Sequence, residues 1–310
     1  MWVFRAAVAL LLLPSSALPS PVHEAGESPS PSLQGKVAYP RQSAGRVPGI
    51  LVLGGAEGGD KWAKAVARRL AEEGYVALPQ AYFHAPGLQD QLTLIPVERL
   101  TAGIDILVRD RRVDPRRIAV IGLSKGAEAA LVLASTDRRV KAVVAGSPSD
   151  VVWQGIDRKT GTVTSSWSLA GRPLPFVPFA PCDECRSLGS LYARSREASD
   201  AMTVAAIAVE RVQGPILLFS SETDIVWPSD RMAASLKLRL ERKHFRYPVV
   251  LRRYPLGGHF SFGPLAQEEA AEDARFGGGT PDGILAARRH SWAEMIAFLQ
   301  HSFPDKLKRR

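Results

Sequence analysis

The stretch Arg117-Ile-Ala-Val-Ile-Gly-Leu-Ser-Lys-Gly-Ala-Glu128 decides the fold of this chain. Its first half is an aliphatic run that predicts a buried strand, and the alanine-rich residues that follow predict a helix. Gly122 and Gly126 flank Ser124 and permit a sharp turn between the two elements. A strand that turns sharply into a helix presents the serine above the edge of a sheet. The stretch therefore predicts a nucleophile at the carboxyl end of a parallel sheet.

Short aliphatic runs alternate with longer amphipathic stretches from Val47 onward. This alternation is typical of a mostly parallel sheet with helices on both faces, because the crossover helices cover it. The predicted fold class is α/β, with one domain over residues 47–310. The predicted strands cover residues 50–53, 75–78, 117–121, 140–145, 215–219 and 248–251, and the predicted helices cover 62–73, 96–109, 230–240 and 286–298, with a further helix that begins at Gly126.

The composition is that of an ordinary globular chain. Its 310 residues are 45% hydrophobic and 23% charged, which suffices for a large core without cross-links. The formal net charge of +9 would suit nucleic acid, but the basic residues are scattered as arginine pairs beside helices and are not interleaved with aromatic residues. Composition therefore excludes disordered and fibrous classes and does not support nucleic-acid binding.

The first twenty residues predict an export signal. A short start that contains Arg5 precedes the apolar run 6–13, which is too short to span a bilayer, and Pro14 is followed by small residues suited to cleavage. Residues 21–46 are rich in proline, serine and glycine and predict a flexible lead-in. We therefore expect a periplasmic or secreted protein with no stable membrane insertion after the signal is removed.

Helical and strand periodicity disappears over residues 147–200, where aromatic residues stand among prolines and polar residues. A loop this long in a compact domain is either functional or disordered, and its aromatic content favours an ordered segment. It follows the strand after the serine turn, at the edge where ligands bind in such sheets. We interpret it as a lid, and the alternative is a structural extension packed on the helices. The predicted substrate-binding residues are Trp153, Trp167, Phe176 and Phe179.

A serine nucleophile needs a base and an acid that orients the base, and in this fold class they follow in the order serine, acid, histidine. Asp224 follows the predicted strand 215–219, and His259 lies in a glycine-containing loop after the final predicted strand. Glu222 is the rival acid, but Asp224 lies further past the strand end. The predicted triad is Ser124, Asp224 and His259. The alternative for Ser124 is a helix cap in a close strand–helix contact.

Two backbone N–H groups are predicted to bind the oxyanion that forms when the serine attacks a carbonyl. One belongs to Lys125, directly after the nucleophile, and the other to Ala56, or next to Glu57, in the loop where Gly54-Gly55 let the backbone approach. The loop lacks the Lys-Ser/Thr end of a phosphate-binding loop and the dinucleotide spacing. No cofactor is predicted.

Cys182 and Cys185 are the two cysteines of the chain. A zinc site would need a second pair, so no metal is predicted, and a thioredoxin-like pair would be expected at a helix start in a reducing compartment. The predicted export favours a local disulfide across the lid. A free buried pair is the alternative.

These motifs resemble a known family. The relevant stretches are 122–128, the Gly54-Gly55 loop, 207–211, 222–227 and 258–259. They are similar to the C-terminal catalytic domain shared by acyl-CoA thioesterases and bile acid-CoA:amino acid N-acyltransferase, an α/β-hydrolase related to dienelactone hydrolases. The resemblance covers about residues 48–298 and implies a Ser-Asp-His triad. The acyltransferase has cysteine as its nucleophile, so Ser124 resembles the thioesterase branch.

The chain departs from the family in two respects. Eukaryotic members begin with an immunoglobulin-like domain, which we do not expect before Pro48, and they act inside cells, whereas this chain carries a predicted export signal. The interpretation is an exported serine hydrolase that cleaves acyl thioesters or carboxylic esters through an acyl-enzyme on Ser124. Its partner is a small acyl ester or thioester, and the positive net charge would tolerate an anionic leaving group such as coenzyme A. The alternatives are an acyltransferase of the same family and a non-catalytic binding protein with a hydrolase fold.

Overall fold

A computed structural model describes residues 36–43 and 45–304. The predicted signal and most of the predicted lead-in lie outside the described residues. The strands are β1 Val47–Leu53, β2 Val76–Gln80, β3 Ile95–Pro96, β4 Val113–Leu123, β5 Val140–Gly146, β6 Trp167–Leu169, β7 Arg172–Pro173, β8 Ile216–Ser220 and β9 Val249–Arg253. The α-helices are α1 Lys61–Glu72, α2 Val97–Arg109, α3 Lys125–Thr136, α4 Leu188–Ala198, α5 Ser229–Arg242, α6 Ala270–Gly277 and α7 Pro281–Ser302.

The central sheet has six strands in the order β2-β1-β4-β5-β8-β9, and every neighbouring pair is parallel. The predicted α/β class with a mostly parallel sheet is confirmed. Because all six strands run the same way, the loops that follow β1, β4, β5, β8 and β9 meet at one edge. That edge holds every residue predicted to act in catalysis.

Alternate residues of the central strands enter two hydrophobic cores, one on each face of the sheet. In β4, Val120 packs in one core with Leu51, while its neighbour Ile121 packs in the other with Ile50 and Val52. All of these side chains are fully buried. Successive side chains point to opposite faces of the sheet, and helices cover both faces. The strand sequence is therefore aliphatic at every position and does not alternate with polar residues.

The sequence did not predict two of the helices, α4 and α6. In α4 the buried residues are Tyr192 and Ser195, and in α6 they are Ala270 and Gly277. Neither helix buries a stripe of large apolar residues, so neither carries the periodicity that reveals an amphipathic helix. The longer predicted helices overlap α1, α2, α3, α5 and α7.

Part of the predicted lead-in belongs to the folded domain. Val37 and Ala38 are buried, and Ala38 exchanges two backbone hydrogen bonds with Ala77 of β2, of 2.8 and 2.9 Å. The Tyr39 hydroxyl donates to the Asp110 carboxylate at 2.6 Å. These three residues are therefore not part of a flexible lead-in. They pack at the β2 edge of the central sheet, where the two apolar side chains are buried.

The segment predicted as a lid is ordered. It contributes β6 and β7 to a small sheet with β3, and Asp150 anchors α4 through a paired contact with Arg196. Cys182 and Cys185 form a disulfide, which confirms the predicted local bridge. No helix within the described ranges is long and apolar enough to cross a bilayer.

Candidate active site

Ser124 lies at the turn between β4 and α3 with a φ of 57° and a ψ of −122°. A non-glycine residue holds such a conformation only where its surroundings fix it, and here the Ser124 N–H donates to the Gly146 carbonyl at 2.9 Å. A Cβ at Gly122 would lie 2.0 Å from the Gly126 oxygen, and one at Gly126 would lie 2.2 Å from the Gly54 oxygen. Both glycines are therefore required. The Ser124 side chain makes no capping hydrogen bond to α3.

His259 and Asp224 form a buried pair at the same edge of the sheet. The imidazole Nδ1 lies 2.8 Å from Asp224 Oδ2, and the two side chains are 3% and 1% exposed. A carboxylate only accepts hydrogen bonds, so Nδ1 carries the proton and Nε2 is the nitrogen able to accept one. The other oxygen, Asp224 Oδ1, accepts the N–H groups of Val226 at 2.9 Å and Trp227 at 3.2 Å. Glu222 is exposed.

Contacts around His259 fix the loop that carries it. The His259 N–H donates to the Gly277 carbonyl at 2.8 Å, and the Ser147 hydroxyl donates to the His259 carbonyl at 2.6 Å. The Trp227 ring packs edge-on against the imidazole at 5.8 Å between centroids, and its Nε1 donates to the Ser147 carbonyl at 3.1 Å. The imidazole is thus held between the loops after β5 and β8.

The two predicted oxyanion donors follow two neighbouring strands, β4 and β1. Lys125 is the first residue of α3, and Ala56 lies in the loop after β1. A Cβ at Gly55, beside Ala56, would lie 3.3 Å from Ser124 Cβ, so this loop contacts the nucleophile turn. The role of the Lys125 and Ala56 N–H groups stays a prediction.

The side chain of Lys125 has a structural role that the sequence analysis missed. Its Nζ lies 2.9 Å from Glu128 Oε2 and 2.8 Å from the Ser166 hydroxyl. Glu128 Oε1 accepts from the Trp153 backbone N–H at 3.1 Å and from Trp167 Nε1 at 2.8 Å. The Lys125 and Glu128 side chains are 1% and 0% exposed. The spacing Lys-x-x-Glu directly after the serine was the available signal, since residues three apart meet on a helix.

Burial acts on the two charges of this pair in opposite directions. It lowers the pKa of Lys125 and raises the pKa of Glu128, since a low-dielectric interior disfavours either charged form. The attraction between the two charges and their hydrogen bond oppose both shifts. The pair ties the nucleophile turn to residues 153–167 of the lid segment.

Glu57 is a second residue whose side chain the sequence analysis did not assign. Its Oε1 accepts the Gly55 N–H at 2.9 Å, so the side chain folds back over the loop after β1. Burial of the carboxyl group raises the pKa of Glu57, and its own backbone N–H, that of Gly55 and the nearby His259 imidazole oppose the shift. The carboxyl group therefore packs on the loop that also carries Ala56.

The four predicted substrate-binding residues divide into two groups. Trp153 and Trp167 have no exposed surface: Trp153 stacks on Phe179 at 6.2 Å, and Trp167 packs against Tyr82 at 5.5 Å. Phe176 and Phe179 are partly exposed. Trp153 and Trp167 could touch a substrate only if the segment moved, and a binding role for the four residues stays a prediction.

A cleft of about 260 Å³ opens beside Ala56. Its apolar lining residues include Phe83, Leu92 and Ile156, and its polar lining residues are His84, Asp90, Gln91 and Arg158. The two walls are joined by hydrogen bonds between Leu92 and Ile156 of 3.2 and 2.9 Å. The described part of the chain contains no group of three or more histidine, cysteine or acidic side chains that could hold a metal ion.

The six-stranded parallel sheet and the positive-φ serine turn define an α/β-hydrolase fold. Solved structures agree with this class. The dienelactone hydrolase-like promiscuous phosphotriesterase P91 from metagenomic libraries has a TM-score of 0.53 at 17% identity, over 87% of this chain and 92% of that one. A putative dienelactone hydrolase from Klebsiella pneumoniae has a TM-score of 0.53 at 16% identity, over 86% of this chain and 92% of that one.

The sequence profile of the family described as BAAT / acyl-CoA thioester hydrolase C terminal matches residues 95–304. Acyl-coenzyme A thioesterase 6 of Mus musculus is 26% identical over 83% of this chain and 60% of its own length. Bile acid-CoA:amino acid N-acyltransferase of Mus musculus is 25% identical over 84% of this chain and 61% of its own length. The chain thus spans about 60% of the length of these relatives. It belongs to the BAAT / acyl-CoA thioester hydrolase C-terminal family, which confirms the resemblance.

Proposed function

We propose that this protein is a serine hydrolase that cleaves acyl thioesters or carboxylic esters through an acyl-enzyme on Ser124. The observation that carries the proposal is the buried hydrogen bond of 2.8 Å between His259 and Asp224, at the sheet edge that also holds Ser124 in a strained turn. An imidazole oriented by a carboxylate, at the sheet edge that also carries a serine, is the arrangement that activates a hydroxyl nucleophile.

The reaction has two stages, acylation of Ser124 and hydrolysis of the acyl-enzyme. His259 Nε2 takes the proton of the Ser124 hydroxyl while Oγ attacks the substrate carbonyl, and Asp224 stabilises the imidazolium that forms. The Lys125 and Ala56 N–H groups bind the oxyanion. The leaving thiolate or alkoxide takes the proton from His259 as its bond to carbon breaks. Water then attacks the acyl-enzyme by the same route and regenerates the serine.

The cleft beside Ala56 supports a short acyl group. Its volume of about 260 Å³ lies just below the usual range for small-molecule pockets, and its walls combine apolar residues with a basic residue, Arg158, and an acidic one, Asp90. The family relationship supports a thioester, whereas the predicted export signal, which lies outside the described residues, would favour an extracytoplasmic ester. Export stays a prediction, and the proposal covers both ester classes.

A kcat/KM series on the purified protein tests this function. p-Nitrophenyl esters and acyl-CoAs of increasing chain length are compared, with Ser124→Ala as the blank. We expect both classes to be cleaved, and short acyl groups faster than palmitoyl, because a long chain exceeds the cleft. Absence of cleavage of every substrate would refute the hydrolase, rates independent of chain length would refute the acyl pocket, and product formed only with an added amine would indicate an acyltransferase.

A second prediction concerns the acid of the triad. We expect Asp224→Asn to reduce kcat by about 10⁴-fold, because the amide favours the wrong imidazole tautomer. Glu222→Gln is the matched control: it removes a carboxylate two residues away on an exposed side chain and should leave kcat within about twofold. Steady-state kinetics with circular dichroism as a folding check measures both. Inactivation by Glu222→Gln with activity kept in Asp224→Asn would reverse the assignment.

A further inference from the structure

The carboxyl end of β5 contacts two of the loops that carry the proposed triad. β5 lies between β4, which leads to Ser124, and β8, which leads to Asp224. The carbonyl of Gly146, the last residue of β5, accepts the Ser124 N–H at 2.9 Å. The next residue, Ser147, donates its hydroxyl to the His259 carbonyl at 2.6 Å. Two consecutive residues therefore hold the nucleophile turn and the histidine loop.

Ser147 is linked to the loop of the acid through Trp227. Trp227 Nε1 donates to the Ser147 carbonyl at 3.1 Å, and the Trp227 backbone N–H donates to Asp224 Oδ1 at 3.2 Å. The indole ring packs edge-on against the His259 imidazole at 5.8 Å between centroids. Ser147 and Trp227 are 0% and 1% exposed, so the protein itself must satisfy these polar groups. Ser147 thus bonds to the segments of both the base and the acid.

Each polar group of Ser147 has a partner on another segment. The Ser147 N–H donates to the Phe219 carbonyl in β8 at 2.8 Å, the hydroxyl donates to His259 and the carbonyl accepts from Trp227. The backbone has a φ of 44°, and a residue other than glycine keeps such a conformation only where its surroundings fix it. Glycine would adopt this φ without strain, but it would lack the hydroxyl that reaches His259.

Packing brings the histidine loop close to the end of β5. A Cβ at Gly146 would lie 2.5 Å from Phe262 Cδ1, so a larger residue at this position would push the loop away. Phe262 is fully buried and stacks on Phe219 at 5.0 Å between ring centroids. The loop is therefore anchored by packing at Phe262, and the Ser147 hydroxyl adds a polar contact at His259 itself.

We propose that Ser147 is a positioning residue of the catalytic centre, whose hydroxyl fixes the His259 backbone so that the imidazole keeps its hydrogen bond to Asp224 and stays in place to accept the proton of Ser124. Ser147 is fully buried and does not touch the substrate. The role in turnover rests on the proposed function. The effect on the bond between His259 and Asp224 does not, because that bond exists in the resting protein and can be measured without a substrate.

Two variants separate the hydroxyl from the strained backbone. Ser147→Ala removes the hydroxyl and keeps a side chain at a positive φ, whereas Ser147→Gly removes the hydroxyl and relieves the strain. Ser149→Ala is the matched control, because the Ser149 hydroxyl is equally buried but donates to the carbonyl of its near neighbour Val151 at 2.7 Å. The first measurement is the solvent exchange of the His259 Nδ1 proton by NMR, with His259→Ala to identify the signal. The others are kcat and KM for p-nitrophenyl esters and unfolding in urea.

In both Ser147 variants we expect the His259 Nδ1 proton to exchange about tenfold faster, because the loop loses about one net hydrogen bond. We expect kcat to fall about 10- to 100-fold with KM nearly unchanged, since a misplaced base slows the chemical step without weakening binding. Ser147→Gly should be more stable in urea than Ser147→Ala and yet no more active. Ser149→Ala should match the wild type in proton exchange and in kinetics.

A wild-type kcat in either Ser147 variant would overturn the proposal, as would unchanged exchange of the Nδ1 proton or a kcat that recovers with stability in Ser147→Gly. Failure of the proposed function looks different. In that case the wild type would show no turnover that depends on Ser124, while the Nδ1 proton would still exchange faster in the Ser147 variants. The positioning of His259 by Ser147 would then stand, and its role in turnover would be refuted.

Discussion

Replacement of Ser124 by alanine is expected to reduce kcat/KM by about 10⁴- to 10⁶-fold, because the three groups of a triad act as a unit and the alanine has no atom to form the acyl-enzyme. The protein should still fold, since the change removes one oxygen, and the Ser124 side chain makes no cap to α3. Ester and thioester kinetics measure the loss, and a fluorophosphonate probe should label the wild type but not the variant.

Ser135→Ala provides the matched control for this prediction. Ser135 lies near the carboxyl end of α3, where its hydroxyl donates to the Val132 carbonyl at 2.8 Å, so the variant loses one serine hydroxyl oxygen away from the candidate site. Its kinetics and labelling should equal those of the wild type. If Ser124→Ala kept its activity or remained labelled, the nucleophile would have to be another residue.

The second large effect concerns stability. Lys125→Met is expected to lower the free energy of unfolding by about 3–5 kcal/mol, because Glu128 would be left as a buried charge without its partner. Lys237→Met is the control: Lys237 and Glu241 form an i,i+4 pair in which both side chains are largely exposed, at 42% and 55%, and such pairs contribute about 1 kcal/mol or less. Urea unfolding measures both variants, and equal losses would contradict the prediction.

The pH dependence of the Lys125→Met variant follows from the direction of the Glu128 shift. Burial already raises the pKa of Glu128, and Lys125 opposes that rise, so removal of Lys125 raises the Glu128 pKa further. A raised carboxyl pKa in the folded state costs stability above the unfolded value, near about 4.3, and the cost disappears as the pH falls toward that value. The stability gap to the wild type should therefore narrow as the pH falls from neutral toward the unfolded value.

Adding Glu128→Gln to Lys125→Met should recover part of the lost stability. The amide carries no charge, so the desolvation cost of the carboxylate is removed. Its oxygen can still accept the hydrogen bonds that Trp153 and Trp167 now donate to Glu128. A double variant no more stable than Lys125→Met would show that the loss comes from the lysine's packing and not from the uncompensated charge.

The parts of this protein that the sequence alone determines are those with local causes. The aliphatic run before Ser124 and its flanking glycines specify the strand, the turn and the helix, because each depends on neighbouring residues along the chain. The positions of Asp224 and His259 after later strands follow from the same logic, since parallel strands deliver their carboxyl ends to one edge. The fold class could be predicted at this level, whereas the family was indicated by the resemblance of these motifs to known sequences.

Only the tertiary structure decided which side chains meet at that edge. The close approach of Gly55 to the Ser124 turn depends on β1 lying beside β4. The Trp153 backbone N–H and Trp167 Nε1 both donate to Glu128 and so tie the lid segment to α3. Such partners lie far apart in sequence, and neither hydrophobic periodicity nor secondary-structure propensity predicts which of them will meet. They are selected by the order of the strands and by the requirement that a buried charge or polar group find a partner.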